Sequence, residues 1–169
     1  MKKTGIFYSF NSTKTAKIAE KIINEFAPDI RVEPVNVEEL TEEQFISFTN
    51  LILGVPTWFD GELPNYWDEF VPALEDLDLK GKKIAIYGLG NQLEYPENFG
   101  DAVGIMAELL RKCGAEVVGS TSINGYTFES SRAVASGQFV GLILDQETQP
   151  RLSNERIANW VQSLKLQFV

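Results

Sequence analysis

The sequence predicts an α/β protein, a three-layer αβα sandwich around a parallel sheet. Two observations carry this. Apolar runs of strand length alternate along the chain with segments whose apolar residues recur at helical spacing. The run Leu51-Ile52-Leu53-Gly54-Val55 is apolar without alternation, as a strand covered on both faces requires. A βαβα order of this kind builds a parallel sheet through right-handed crossovers.

Each element has its own justification. Gly5-Ile6-Phe7-Tyr8 reads as the first strand. Ile18, Ile22, Ile23 and Phe26 then mark one face of a helix over residues 13–26. Arg31-Val32-Glu33-Pro34-Val35 is a second strand, and Pro34 puts it at an edge because proline has no N–H to give a neighbour. Residues 51–55 form the third strand. Trp67, Phe70, Val71 and Leu74 predict one amphipathic helix opened by Pro64. Lys83-Ile84-Ala85-Ile86-Tyr87 is the fourth strand, and Val103, Ile105, Met106, Leu109 and Leu110 define a helix stopped at Gly114. Val117 and Val118 begin a fifth strand that residues 139–144 are apolar enough to continue. The polar segment 121–138, with Gly125 and Gly137, interrupts it as a surface insertion. A last helix buries Ile157, Trp160, Val161 and Leu164, with Ser153 placed to cap it.

At 169 residues the chain is expected to be one domain, 1–169, large enough to bury about two-thirds of its unfolded surface. No apolar stretch nears the ~18 residues of a membrane span. The strand pattern starts at once, which leaves no room for an export signal, and a cytoplasmic location is expected. A single cysteine excludes an internal disulfide, and the lack of histidine removes Ser–His and Cys–His catalysis as well as most metal cages. Cys113, Trp67 and Trp160 read as packing residues and Arg132 as solvated. Glu38-Glu39 and Glu42-Glu43 read as solvent-facing pairs in a helix. Net charge is −9, and residues 32–79 hold twelve of the 24 acids with no Lys or Arg. That face is either a solubilising surface or a dock for basic partners, and it is a poor match for nucleic acid.

Three loops leave the carboxyl ends of strands one, three and four, where open α/β sheets collect ligands. The first, Ser9-Phe10-Asn11-Ser12-Thr13-Lys14-Thr15, brings hydroxyls and an amide to a helix N-terminus. Such a terminus attracts anions, although an ordinary capped polar loop explains the same residues. It lacks the spacing of a Walker A loop. The second, Pro56-Thr57-Trp58-Phe59-Asp60-Gly61, sets a large aromatic where packing pressure is low. The third runs from Gly88-Leu89-Gly90-Asn91-Gln92 through Tyr95 to Asn98. Together they predict a flat aromatic ligand with a phosphate tail.

With these residues in view the chain resembles a flavodoxin of the long-chain type over its whole length. The matching stretches are Ile6-Phe7-Tyr8 with the hydroxyl-rich loop, Pro56-Thr57-Trp58 with Gly61-Glu62-Leu63, the Gly88–Asn98 loop, and Gly125-Tyr126 with the tail from Gly137 to Asp145. The resemblance implies a five-stranded sheet of order 2-1-3-4-5, an order that belongs to the family. It also implies a low-potential one-electron carrier with bound FMN. Residues 9–15 would hold the phosphate, Trp58 and Tyr95 would sandwich the isoalloxazine, and Asp145 would accept from the ribityl chain. Backbone groups around Phe59-Asp60 and Leu89-Gly90-Asn91 would face the flavin edge, with Asn98 nearby. Expected partners are oxidoreductases with basic docking faces, such as a flavodoxin/ferredoxin reductase, and the expected state is a monomer.

Two departures from the family pattern stand out. Phe10 replaces a usual Thr or Ser, and Thr13 a usual Gly. A lost hydroxyl is worth about 0.5–1.5 kcal/mol of phosphate binding unless another donor substitutes. Phe59 stands where Gly or Asn is common, and a bulky residue at positive φ costs roughly 1–2 kcal/mol. Alternative readings are an FMN-dependent NAD(P)H:quinone reductase and a flavodoxin-like domain that has lost its cofactor.

Overall fold

The computed structural model describes residues 3–169. Strands β1 (Thr4–Tyr8), β2 (Val32–Asn36), β3 (Asn50–Gly54), β4 (Lys83–Leu89) and β5 (Glu116–Val118) form a parallel sheet in the order β2-β1-β3-β4-β5. Every residue of β1 and β3 is buried, which fixes them at the centre. At the edge, Pro34 pairs with Ile6 and its missing N–H faces no further strand.

The fifth position is split. Glu116, Val117 and Val118 pair with Lys83, Ile84 and Ala85, and the chain then leaves the sheet. It forms a separate antiparallel sheet from β6 (Thr121–Ser122), β7 (Val134–Ala135) and β8 (Gln138–Phe139). β9 (Leu142–Leu144) returns beside Tyr87, Gly88 and Leu89, so β5 and β9 run as two halves of one line along β4. Phe139, expected to continue the fifth strand, instead pairs with Thr121 and Val134 in the small sheet, and the excursion extends to Gly141. A Cβ on Gly141 would lie 2.2 Å from the Ile86 carbonyl, so only glycine passes at the point of return.

Helices cover both faces. On one, α1 (Lys14–Phe26) and the C-terminal helix Ser153–Gln167 pack Ile18, Ile22, Trp160 and Leu164 against Ile6, Ile52 and Tyr87. On the other lie α2 (Glu42–Ile46), α3 (Asn65–Asp68), α4 (Val71–Glu75) and α5 (Asp101–Lys112), whose Phe45, Trp67, Leu74 and Met106 meet Phe7, Leu53 and Ile86. β1 thus sends Ile6 and Phe7 to opposite layers, the period-two signature of a strand covered on both faces.

Local expectations are corrected at three places. The single helix expected after Pro64 breaks into α3 and α4, because Pro72 sits in the first turn of α4 and has no N–H to continue α3. Ser153 does not cap the last helix, here α6. A 3₁₀ turn, Pro150–Leu152, precedes it, and the Ser153 hydroxyl is spent on the Gln146 side chain. Glu38 and Glu39 lie in another 3₁₀ turn (Val37–Glu39), whereas Glu42 and Glu43 open α2 behind a Thr41–Gln44 capping box. Trp67 and Trp160 are core residues as expected, with their indole N–H groups donating to Gly54 O (2.8 Å) and Gly119 O (2.7 Å).

Candidate functional site

The loops after β1, β3 and β4 meet around a cleft of about 1220 Å3 at the carboxyl edge of the sheet. The first loop folds onto Ser9, which is buried. Ser9 O accepts from Ser12 N (3.1 Å) and Ser12 Oγ (2.6 Å), and Ser9 Oγ accepts from Asn11 N (3.3 Å). No side chain caps α1 at Thr13. The N–H groups of residues 13–16 have no protein acceptor among the described residues, so the helix start keeps its donors for an anion. Below it, the buried Tyr87 hydroxyl donates to Thr15 O (3.0 Å) and ties the first turn to β4.

The second loop is a tight hairpin closed by Trp58 N→Glu62 O (2.9 Å) and Glu62 N→Trp58 O (2.7 Å). Its tip holds Phe59 at φ 50, a left-handed conformation, with the side chain 74% exposed. The Trp58 indole meets Tyr66 edge-on at 5.7 Å and 85°. Thr57 Oγ1 accepts from Ala102 N (3.1 Å), fastening the hairpin to the start of α5.

The third loop is anchored from beneath. Asp145, fully buried, accepts from Gln92 N (3.1 Å), Thr148 N (2.8 Å) and Thr148 Oγ1 (2.5 Å). Gln92 Oε1 in turn accepts from Thr127 N of the insertion (2.5 Å), and Pro96 O from Glu129 N and Ser130 N (2.8 and 3.0 Å). The insertion is therefore laced along the loop that carries Tyr95, itself 53% exposed at the cleft.

All the residues singled out from sequence line the cleft except Phe10, Gly61 and Asp145. Phe10 turns its ring onto Tyr8 (5.0 Å) and donates its N–H to Asn36 Oδ1 (3.2 Å). Gly61, at φ 92, backs onto Asp101, whose Oδ2 would lie 2.8 Å from a Cβ there. Asp145 does not line the cleft in this structure; its carboxylate accepts from Gln92 and Thr148 and braces the loop. Residues missed by sequence reasoning are Glu38, Tyr66, Glu94, Phe99, Gly100, Gln146 and Glu147. Some were legible: Glu38 follows β2 and Gln146-Glu147 follow β9, whose carboxyl ends share this rim.

The charge at the cleft is mostly negative. Glu38, Asp60, Glu94 and Glu147 face a single Lys14, which is ion-paired to Glu147. Asn11 Nδ2 holds Glu38 Oε2 at 2.5 Å. Burial, with the charge of Glu38 adding to it, raises the Tyr66 phenol well above its ordinary pKa. Burial likewise raises Asp101, partly opposed by the Arg132 N–H that its Oδ1 accepts at 2.8 Å. No cluster of metal-ligating side chains occurs among the described residues.

Comparison with known proteins decides the family. The Flavodoxin family model matches residues 6–160. The chain belongs to the flavodoxin family. It is 42% identical over 169 residues to the flavodoxin of Trichodesmium erythraeum (strain IMS101), covering 99% of each chain. With the Synechocystis sp. flavodoxin it is 39% identical over 165 residues, covering 98% of this chain and 97% of that one. A crystal structure of Fusobacterium nucleatum flavodoxin bound to flavin mononucleotide superposes with a TM-score of 0.93 at 35% identity, covering 99% of both chains. The flavodoxin sheet order and the split fifth strand agree with the motif resemblance.

Proposed function

We propose that this flavodoxin is a low-potential one-electron carrier, not an enzyme, with FMN held non-covalently in the cleft. The observation that carries the reading is the pairing of an uncapped, donor-rich helix start with two loop aromatics, Trp58 and Tyr95, on one rim. When bound, FMN supplies the two one-electron couples. The N–H groups at the start of α1, with Ser9, Asn11, Ser12, Thr13 and Thr15, would take the phosphate. Trp58 and Tyr95 would exclude water from the ring faces. The backbone of Pro56, Thr57, Phe59, Asp60, Leu89, Gly90 and Asn91, with Asn98, would border its edge. Lys14 would be shared with Glu147, which leaves the phosphate mainly to neutral donors.

The chain would act as a single monomeric domain in the cytoplasm. Its acidic face would dock oxidoreductases with basic surfaces, such as a flavodoxin/ferredoxin reductase. No helix among the described residues is long and apolar enough to cross a membrane. The test is the visible spectrum of the purified protein, before and after incubation with FMN, followed by redox titration. A yellow protein that takes electrons one at a time from a reductase meets the expectation. A colourless protein indifferent to micromolar FMN overturns it. Rapid NAD(P)H oxidation without any reductase would point to an enzyme instead.

A further inference from the structure

The turn that carries Tyr95 has little packing of its own. Leu93 is 69% exposed and Tyr95 53%, and Glu94 between them is exposed as well. It is bonded within itself instead. Tyr95 N donates to Asn91 O (2.9 Å), and Asn91 Oδ1 accepts from Leu93 N (3.1 Å) and Glu94 N (3.0 Å), an Asn-closed turn. Such a turn keeps its shape, so the place of the Tyr95 ring over the cleft is set where the turn joins the body. Gln92 is that joint, the one buried residue of the run 91–95.

Both ends of the Gln92 amide are in use. Oε1 accepts from Thr127 N of the insertion (2.5 Å), and Nε2 donates to Thr148 Oγ1 in the turn after β9 (3.4 Å). A methionine would fill the same space without burying polar atoms, whereas an amide commits the site to partners in fixed directions. The partner in the insertion is itself held to α5. Arg132 N donates to Asp101 Oδ1 (2.8 Å), and a Cβ on Gly104 would lie 2.2 Å from the Arg132 carbonyl oxygen, so the two backbones touch. We propose that Gln92 is a positioning residue for flavin binding: its amide ties the Tyr95 turn to Thr127 and Thr148, and so sets the phenol ring where it can cover a flat ligand. The inference rests on the FMN reading. It gives the insertion a task, as the post on α5 against which the turn is braced.

The experiment is a double-mutant cycle read as FMN affinity. Wild type, Gln92→Met, Tyr95→Ala and the double variant are titrated with FMN as apoproteins. Gln92→Met should raise the FMN Kd by about threefold to thirtyfold when Tyr95 is present, the range for coupled neighbours. In the Tyr95→Ala background it should change the Kd by less than about twofold, because the ring it positions is gone. Thr127→Pro, on an exposed stretch of the insertion, removes the N–H that Oε1 accepts and should weaken FMN in the same Tyr95-dependent way. A Gln92→Met protein that binds FMN as wild type does overturns the proposal. An equal loss in both backgrounds overturns it too, since Gln92 would then support the cleft as a whole. If Gln92→Met does not fold, Thr127→Pro carries the cycle with the same two outcomes. If wild type itself fails to bind FMN, the FMN reading falls and this inference with it. If wild type binds and the cycle shows no coupling, only the Gln92 assignment falls.

Discussion

Phe59 gives the most decisive test of the hairpin that carries Trp58. Its φ of 50 lies in the left-handed region, where a Cβ costs about 1–2 kcal/mol. The side chain is 74% exposed and touches the Trp58 ring only edge-on at 6.3 Å, so truncating it removes about 0.5 kcal/mol of contact, the low end for an aromatic pair. Phe59→Ala loses that contact and keeps the backbone penalty. Phe59→Gly loses the same contact and sheds the penalty, while gaining about 0.4–1 kcal/mol of unfolded-state entropy. Gly is therefore expected to exceed Ala by about 0.5–1 kcal/mol, although at an ordinary exposed position Ala exceeds Gly by a similar amount. Urea unfolding of the two apoproteins reads the difference. With m about 2 kcal/mol/M, the Gly midpoint should lie about 0.3–0.5 M above the Ala midpoint. An Ala variant as stable as the Gly variant, or more so, would refute a strained turn at this position.

Asp145→Asn turns an amide toward the donors of Gln92 and Thr148, leaving one unsatisfied, and should cost about 1–3 kcal/mol in urea unfolding. FMN affinity should fall with it through displacement of the Tyr95 loop, and unchanged stability would remove its role as anchor. Asp101 titrates the opposite way from an ion-paired carboxylate. Burial raises its folded pKa, so the native state holds the extra proton, and stability is lost as pH rises from the ordinary aspartate range through the raised value. Asp101→Asn, which can still accept from the Arg132 N–H, should therefore gain on wild type as pH rises above the ordinary aspartate range, read as urea midpoints. A constant difference as pH rises would contradict the assignment. Finally, a cleft with four carboxylates and one paired lysine repels phosphate. Raising ionic strength from about 0.01 M to about 0.1 M should tighten FMN binding in titration, and weakening would show that Lys14 dominates.

The layers were legible because they rest on periodicity that tertiary contacts reinforce. Residues 51–55 could only be a doubly covered strand, and the loops at the strand ends followed from the order of elements. What sequence reasoning missed has local physical causes. Pro72 divides a helix whose apolar spacing reads as continuous. Ser153 has the chemistry of a cap, but the Gln146 side chain competes for its hydroxyl. Phe139 is apolar enough for the main sheet, yet it buries itself with Tyr126 (4.9 Å), Phe128 (5.4 Å) and Phe99 (6.1 Å) in an aromatic cluster beneath the insertion. Asp145 was expected to contact the ribityl chain from the family resemblance; in this structure it is fully buried and braces the Gln92 loop. Tyr66 was hidden by Trp67, the core residue beside it, since a phenol off the apolar face of a short helix reads as surface.

The carboxylates that weaken phosphate binding also set the value of the site as a low-potential carrier. A charge ~10 Å from the flavin, at an effective dielectric of 40–80, opposes an added electron by about 0.4–0.8 kcal/mol. That equals roughly 20–35 mV per group for one electron. Glu38, Asp60 and Glu94 would act in concert, while Glu147 and Lys14 offset each other. A cation placed to secure the phosphate would hold FMN more firmly but raise the potentials that the acids depress. Neutral donors avoid the conflict: backbone N–H groups at a helix start would bind the anion without adding net charge near the ring. On this logic a low potential and firm cofactor retention are compatible only if phosphate recognition is uncharged, which is the recognition proposed for the first loop.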